Sequence, residues 1–186
     1  NEFRKIVEEI SVLLGYEALR DLEMEEVEIK TPIEVAKCPV IAGKKQAIIP
    51  ILRAGLGMVE GFLTLMPAAK VGHIGMYRDE ETHEPHEYFC KLPNPISERK
   101  IYVVDPMLAT GLSMEVAYKA LLSHGTPKSV HIACLFGTPQ AIEYLTATMP
   151  EDVTLWCAVV DPMLNEKKYI VPGLGDAGDL CFGEKL

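Results

Sequence analysis

The 186-residue chain reads as an α/β protein with a doubly wound, mostly parallel five-stranded sheet. Three observations carry that expectation. Five apolar runs, residues 46–52, 71–78, 101–104, 129–136 and 153–160, have the length and β-branched content of buried strands. Helical patterns separate them, replaced once by a polar hairpin, and that rhythm produces parallel neighbours joined by right-handed crossovers. Two strands also run directly into small-residue loops that open helices, at the strand end where open α/β sheets place their ligands. One core of this kind accounts for the whole length, so a single domain over residues 1–186 is expected, with no internal repeat and no low-complexity tract.

The chain opens with Phe3, Ile6, Val7, Ile10, Leu13 and Leu14 at helical spacing, an amphipathic packing helix. Residues 22–43 mix charges with Val27, Ile29, Ile33, Val35 and Val40 and are interrupted by Pro32 and Pro39, which predicts short edge strands. After the first buried strand, Arg53-Ala54-Gly55-Leu56-Gly57 leads into a helix that stops at Pro67. A dinucleotide fingerprint fails there because position 60 is Glu60. Residues 78–92 read as a projecting β-hairpin with a polar tip, a shape suited to meeting another subunit. His83 and His86 in that tip lack the rigid geometry that a metal site requires. Further on, His124-Gly125 ends a helix, and Thr138-Pro139 reads as the cap and first residue of the next, which extends to about Thr148.

Charge and cysteine content narrow the partners. A formal net charge of -9 with no run of Lys or Arg argues against a nucleic-acid surface, so a phosphate must be held by a few local residues. Five cysteines without a C-x-x-C pair point to reduced thiols and a cytoplasmic setting. No run approaches the roughly 18 apolar residues of a membrane span, and no signal-peptide pattern is present.

The most informative stretch is Ile101 to Ser113. Four apolar residues run into Asp105, and Ala109, Thr110, Gly111 and Ser113 carry little bulk, so backbone N–H groups can close around an anion while two hydroxyls add donors. The apolar spacing of Met114, Ala117, Tyr118, Leu121 and Leu122 begins a helix whose positive end faces that anion. From the loop alone, a plain capping turn is an equal reading. No Lys follows the glycine, which excludes a Walker A loop.

The sequence VVDPMLATG followed by Ser113 resembles the phosphoribosyl diphosphate (PRPP) loop of phosphoribosyltransferases, and its DPMLATG form resembles the uracil phosphoribosyltransferases in particular. Pro50 to Gly55, Gly75 to Thr82 and Pro172 to Asp179 match that family in order and spacing. The resemblance implies a type I phosphoribosyltransferase-like fold with a C-terminal base-binding loop. It also implies transfer of ribose 5-phosphate from PRPP to uracil, giving UMP and diphosphate in pyrimidine salvage. PRPP would be held by Arg53, Arg78, Asp105, Pro106, Met107, Leu108, Ala109, Thr110, Gly111, Leu112, Ser113 and Asp176. Ile170, Gly175, Asp176 and Ala177 would contact uracil, and Asp105, Asp176 and Arg78 would serve the chemistry. Magnesium is expected on PRPP itself, with no dedicated protein ligands. The expected assembly is a homodimer or higher homo-oligomer through the 78–92 hairpin, with no nucleic acid or membrane partner. The family begins with a further N-terminal arm, which is expected to be missing here, since the first residue is Asn1. Leu112 departs from the family's usual second glycine and would be strained if its φ were positive. The alternatives are a non-catalytic nucleotide-sensing or regulatory protein on the same fold, and a related transferase for another base such as a purine. Retention of Asp105 and Asp176 speaks against the sensor.

Overall fold

The computed structural model describes residues 1–79 and 85–184. Helix α1 (Glu2–Ala18) comes first, followed by strands β1 (Met24–Lys30) and β2 (Val35–Ile41), then β3 (Ala47–Leu52) and α2 (Leu56–Leu65). Next are β4 (Lys70–Val71), β5 (His73–Arg78), β6 (Pro85–Lys91), β7 (Lys100–Val104), β8 (Met107–Leu108) and α3 (Leu112–Leu122). The second half contains β9 (Ser129–Gly137), α4 (Pro139–Thr148), β10 (Val153–Val160), β11 (Met163–Leu164), β12 (Ile170–Val171) and α5 (Ala177–Phe182).

The main sheet has the order β10-β9-β7-β3-β5-β6, parallel throughout except for β6, which returns antiparallel on β5. The five expected strands are therefore its parallel body, and the hairpin supplies a sixth. The short β4 and β8 pair with β3 and β9. Period-two alternation sorts side chains to the two faces. Ile48, Tyr102, Val104, Ala133 and Leu135 meet Val7, Met58 and Phe62 of α1 and α2. Ile49, Val103, Ile132 and Cys134 face the other way, onto Met114, Leu121, Ala141 and Leu145 of α3 and α4. Full burial of a side chain such as Phe62, at 0% exposure, contributes about 1.5–3 kcal/mol.

Three expectations need correction. β1 and β2 are not edges of the main sheet. They pair antiparallel with each other over seven residues as a separate ribbon, because charges alternate with apolar residues and leave no wide apolar face to dock. The run 71–78 is broken at Gly72, where a Cβ would lie 2.8 Å from both Ile49 Cδ1 and Pro93 Cδ. The tail is more structured than a loop: β11 and β12 pair antiparallel, and α5 follows. His83 and the hairpin tip lie outside the described residues.

Candidate active site

From β3 the chain passes through α2 to β5 on one side. From β7 it passes through α3 to β9 on the other. The adjacent parallel strands β3 and β7 thus form the point where strand order reverses, and a crevice opens at their carboxyl ends. Arg53 follows β3 there, and Asp105 follows β7. The two loops approach so closely that a Cβ on Gly55 would lie 2.4 Å from the Val104 carbonyl oxygen. Only glycine fits at that position. The Leu52–Arg53 peptide is cis.

The loop after β7 is fixed from beneath. Asp105 N–H donates to the Ala133 carbonyl at 3.1 Å, and Asp105 Oδ1 accepts from Met107 N–H at 3.3 Å. Pro106 is buried, and its carbonyl accepts from Leu135 and Phe136 N–H. Met107 and Leu108 then extend β9 through β8. The fully buried Thr138 donates its hydroxyl to the Ala109 carbonyl at 2.7 Å and accepts from Ala141 N–H at 3.1 Å, joining the loop to the start of α4. Gly111 stands at φ 83°, the left-handed region, and no side chain caps the start of α3. Its first-turn N–H groups therefore point toward whatever occupies the crevice. Thr110 Oγ1 sits 3.5 Å from Leu112 N, and Ser113 follows in the first turn. Leu112 is the first residue of α3, and Lys168 is the only non-glycine residue with positive φ among those described. The anticipated strain at Leu112 does not arise.

Below this loop, Cys134 and Cys157 are register partners on β9 and β10. The Cys134 thiol is pushed well above its ordinary range, first by its hydrogen bond with Cys157, then by burial and the nearby Asp105 carboxylate. It stays a protonated, packed thiol, as its full burial requires.

The tail is drawn over the same end of the sheet. Asp161, just beyond β10, accepts from Gly173 N–H at 3.1 Å through Oδ2. Arg53 Nη2 donates to Asp179 Oδ1 at 2.7 Å and to the Gly183 carbonyl at 3.1 Å. Asp176 caps α5, accepting from Asp179 N–H at 3.0 Å. Ile170 and Ala177 are buried at 2% and 1% exposure, so both residues are packed into the fold. Gly175 has φ 85° and open space where a Cβ would be. Arg78 closes β5, one strand further along the same sheet edge. Arg53, Asp105 to Ser113 and the tail from Ile170 to Ala177 thus gather at one end of the sheet.

Three residues hold this arrangement in ways the sequence did not reveal. Thr138 was legible only as a helix cap. Asp161 carried a signal, since Asp161-Pro162-Met163-Leu164 repeats Asp105-Pro106-Met107-Leu108 after another strand. Asp179 had no local signal, because its partner lies 126 positions away.

A family model described as uracil phosphoribosyltransferase matches residues 1–184. Proteins named uracil phosphoribosyltransferase from Clostridium beijerinckii and a Thermoanaerobacter species are each 58% identical over 184 residues, which is 99% of this chain and 87% of theirs. A solved structure of a protein from Aquifex aeolicus superposes with a TM-score of 0.91 at 38% identity, covering 97% of this chain and 85% of that one. A hypoxanthine-guanine phosphoribosyltransferase from Bacillus anthracis shares the fold at a TM-score of 0.58 and 14% identity, over 87% of this chain and 80% of its own. The fold is that of the type I phosphoribosyltransferases, and the chain belongs to the uracil phosphoribosyltransferase family.

Proposed function

We infer that this chain, as a single phosphoribosyltransferase domain over residues 1–186, transfers ribose 5-phosphate from PRPP to uracil, forming UMP and diphosphate. The observation that carries the reading is the crevice between β3 and β7, with an uncapped helix start on one side, Arg53 on the other and the tail across it. In this assignment residues 105–113 wrap the ribose 5-phosphate, with Asp105 on the ribose hydroxyls and Thr110, Ser113 and backbone N–H groups on the phosphate. Arg53 and Arg78 hold the diphosphate. Arg53 Nε is buried and has no hydrogen-bond partner among the described residues, which leaves a donor for such an acceptor.

The reaction needs little covalent help. As the bond from C1′ to diphosphate breaks, positive charge grows on the ribose and negative charge on the leaving group. Placed opposite charges and positioning then dominate, with Asp105 and Asp176 on the ribose side and the arginines on the other. A Mg²⁺ ion carried by PRPP would offset part of the diphosphate charge. Asp105 and Asp176 supply hard oxygen donors that suit such an ion. The ion is expected on the phosphates of PRPP, which magnesium prefers to an all-protein cage.

Backbone groups of Ile170, Gly175, Asp176 and Ala177 are assigned to uracil, and Gly175 has open space where a side chain would stand. For the hairpin at 78–92 the proposed partner is a second copy of the chain, since Tyr88 and Phe89 on it and Tyr77 just before it are exposed at 57%, 42% and 53%. The five free cysteines fit a reducing, cytoplasmic setting. Among the described residues, no helix is long and apolar enough to cross a membrane. The test of the activity is incubation with PRPP, Mg²⁺ and uracil. UMP and diphosphate are expected in equal amounts, and PRPP left intact in the presence of uracil would refute the assignment.

A further inference from the structure

Arg53 is held by the opposite end of the chain. Its Nη2 donates to Asp179 Oδ1 at 2.7 Å and to the Gly183 carbonyl at 3.1 Å, the two ends of the last turn of α5. The side chains of Arg53 and Asp179 are about one-third exposed, at 32% and 33%, so the pair is open to solvent and is not sealed in the core. Its surroundings are rigid. The first turn of α5 lies over the loop after β3, where a Cβ on Gly178 would stand 3.8 Å from both Ala54 N and Ala54 Cβ. Asp179 N–H is itself fixed by Asp176 Oδ1 at 3.0 Å, so the carboxylate that grips Arg53 belongs to the same capped turn as Asp176. On its far side α5 is tied to α1, with Asn1 Nδ2 donating to the Leu180 carbonyl at 2.6 Å and Cys181 buried at 3%.

We propose that Asp179 is a positioning residue that aims the Arg53 guanidinium at the diphosphate and so joins the leaving-group subsite to the base-binding tail. This rests on the function proposed above. An arginine on a flexible stem loses rotamer freedom when it binds a phosphate, and a carboxylate that holds one edge of the guanidinium in advance removes part of that loss. The planar fork leaves its other N–H groups, including the unpartnered Nε, for a phosphate oxygen. Because Asp176 and Asp179 share one turn, seating the diphosphate on Arg53 also steadies the backbone assigned to uracil.

The test is a double-mutant cycle on kcat/KM for PRPP at saturating uracil, using the unmodified chain, Asp179→Asn, Arg53→Ala and the double variant. Asparagine keeps the size of the side chain and leaves the backbone cap of α5 in place. Asp179→Asn is expected to lower kcat/KM for PRPP about tenfold, the scale of one charge-assisted hydrogen bond, and to change it less than about twofold when Arg53 is already Ala. Asp179→Glu, which keeps the charge, is expected to recover most of the loss. An equal loss in both backgrounds would overturn the inference, because the tail would then act by some route other than Arg53. Wild-type kcat/KM in Asp179→Asn alongside a crippled Arg53→Ala would overturn it while leaving the diphosphate assignment intact. Wild-type kcat/KM in Arg53→Ala would remove that assignment and the inference with it.

Discussion

Replacing Thr138 by Val tests whether the loop after β7 is held from below. The two side chains have nearly the same shape, and Thr138 is 0% exposed, so the substitution changes hydrogen bonding and little else. It removes the 2.7 Å donation to the Ala109 carbonyl and the 3.1 Å acceptance from Ala141 N–H. Ala109 is itself buried at 7%, and a carbonyl left without its partner there costs about 1–3 kcal/mol. Loss of the helix cap adds about 1 kcal/mol. The expected total of roughly 2–4 kcal/mol is a large part of the 5–15 kcal/mol that holds a typical domain together. In urea, with a slope near 2–3 kcal/mol per M, the midpoint should fall by about 1 M. KM for PRPP should rise several-fold, because the loop carbonyl loses its anchor, while Thr138→Ser should behave much like the unmodified chain. A valine variant with an unchanged urea midpoint and unchanged KM would refute this account of the loop.

Three further outcomes are expected. Gly111→Ala places a Cβ at φ 83°, 2.9 Å from Tyr144 Cδ1, so it should lose about 1–2 kcal/mol in thermal unfolding and raise KM for PRPP. An unaffected variant would mean that the turn is not constrained. Leu112→Gly should leave KM for PRPP within about twofold and cost no more than about 1 kcal/mol of stability, since Leu112 already has helical backbone; a large gain in PRPP affinity would contradict this. His131 is half-buried and stacks on Tyr102, with ring centroids 4.9 Å apart, and desolvation foremost, then Lys100, holds its pKa below 6.5. Between its folded pKa and 6.5 the unfolded chain binds more protons, so stability from this group is present above 6.5 and falls as pH drops below it. His131→Phe should flatten the dependence of the urea midpoint on pH below neutrality, and an unaltered slope would rule His131 out as its source.

Much of this architecture is legible from local pattern. The alternation Ile48-Ile49 and Tyr102-Val103 sends neighbours to opposite faces, the pair Thr138-Pro139 announces α4, and the small residues from Ala109 to Ser113 announce a helix start open to an anion. What escaped the sequence depends on contacts far apart in the chain. The pairing of β1 with β2 is decided by the absence of a face to bury, and the need for glycine at position 72 by the closeness of Ile49 and Pro93. α5 spans only six residues, too few for a helical period to show, and is held in place by Arg53, Asn1 and Cys181. The family resemblance singled out Arg53, the loop from Asp105 to Ser113 and the tail, which the fold brings to one end of the sheet, but the links among them through Thr138, Asp161 and Asp179 are properties of the folded chain.

In the proposed reaction the crevice and the tail together choose one base. Uracil presents a carbonyl, an N–H and a second carbonyl along one edge, whereas cytosine replaces the first two with an amine and a bare ring nitrogen. Backbone groups matched to one pattern oppose the other, and sites of this kind discriminate by roughly 10⁴-fold. The direct measurement is a competition in one vessel, with PRPP, Mg²⁺ and equal amounts of uracil, cytosine, hypoxanthine and guanine, followed by mass analysis of the mononucleotides. UMP should account for essentially all of the product; comparable amounts of CMP or a purine mononucleotide would contradict the account.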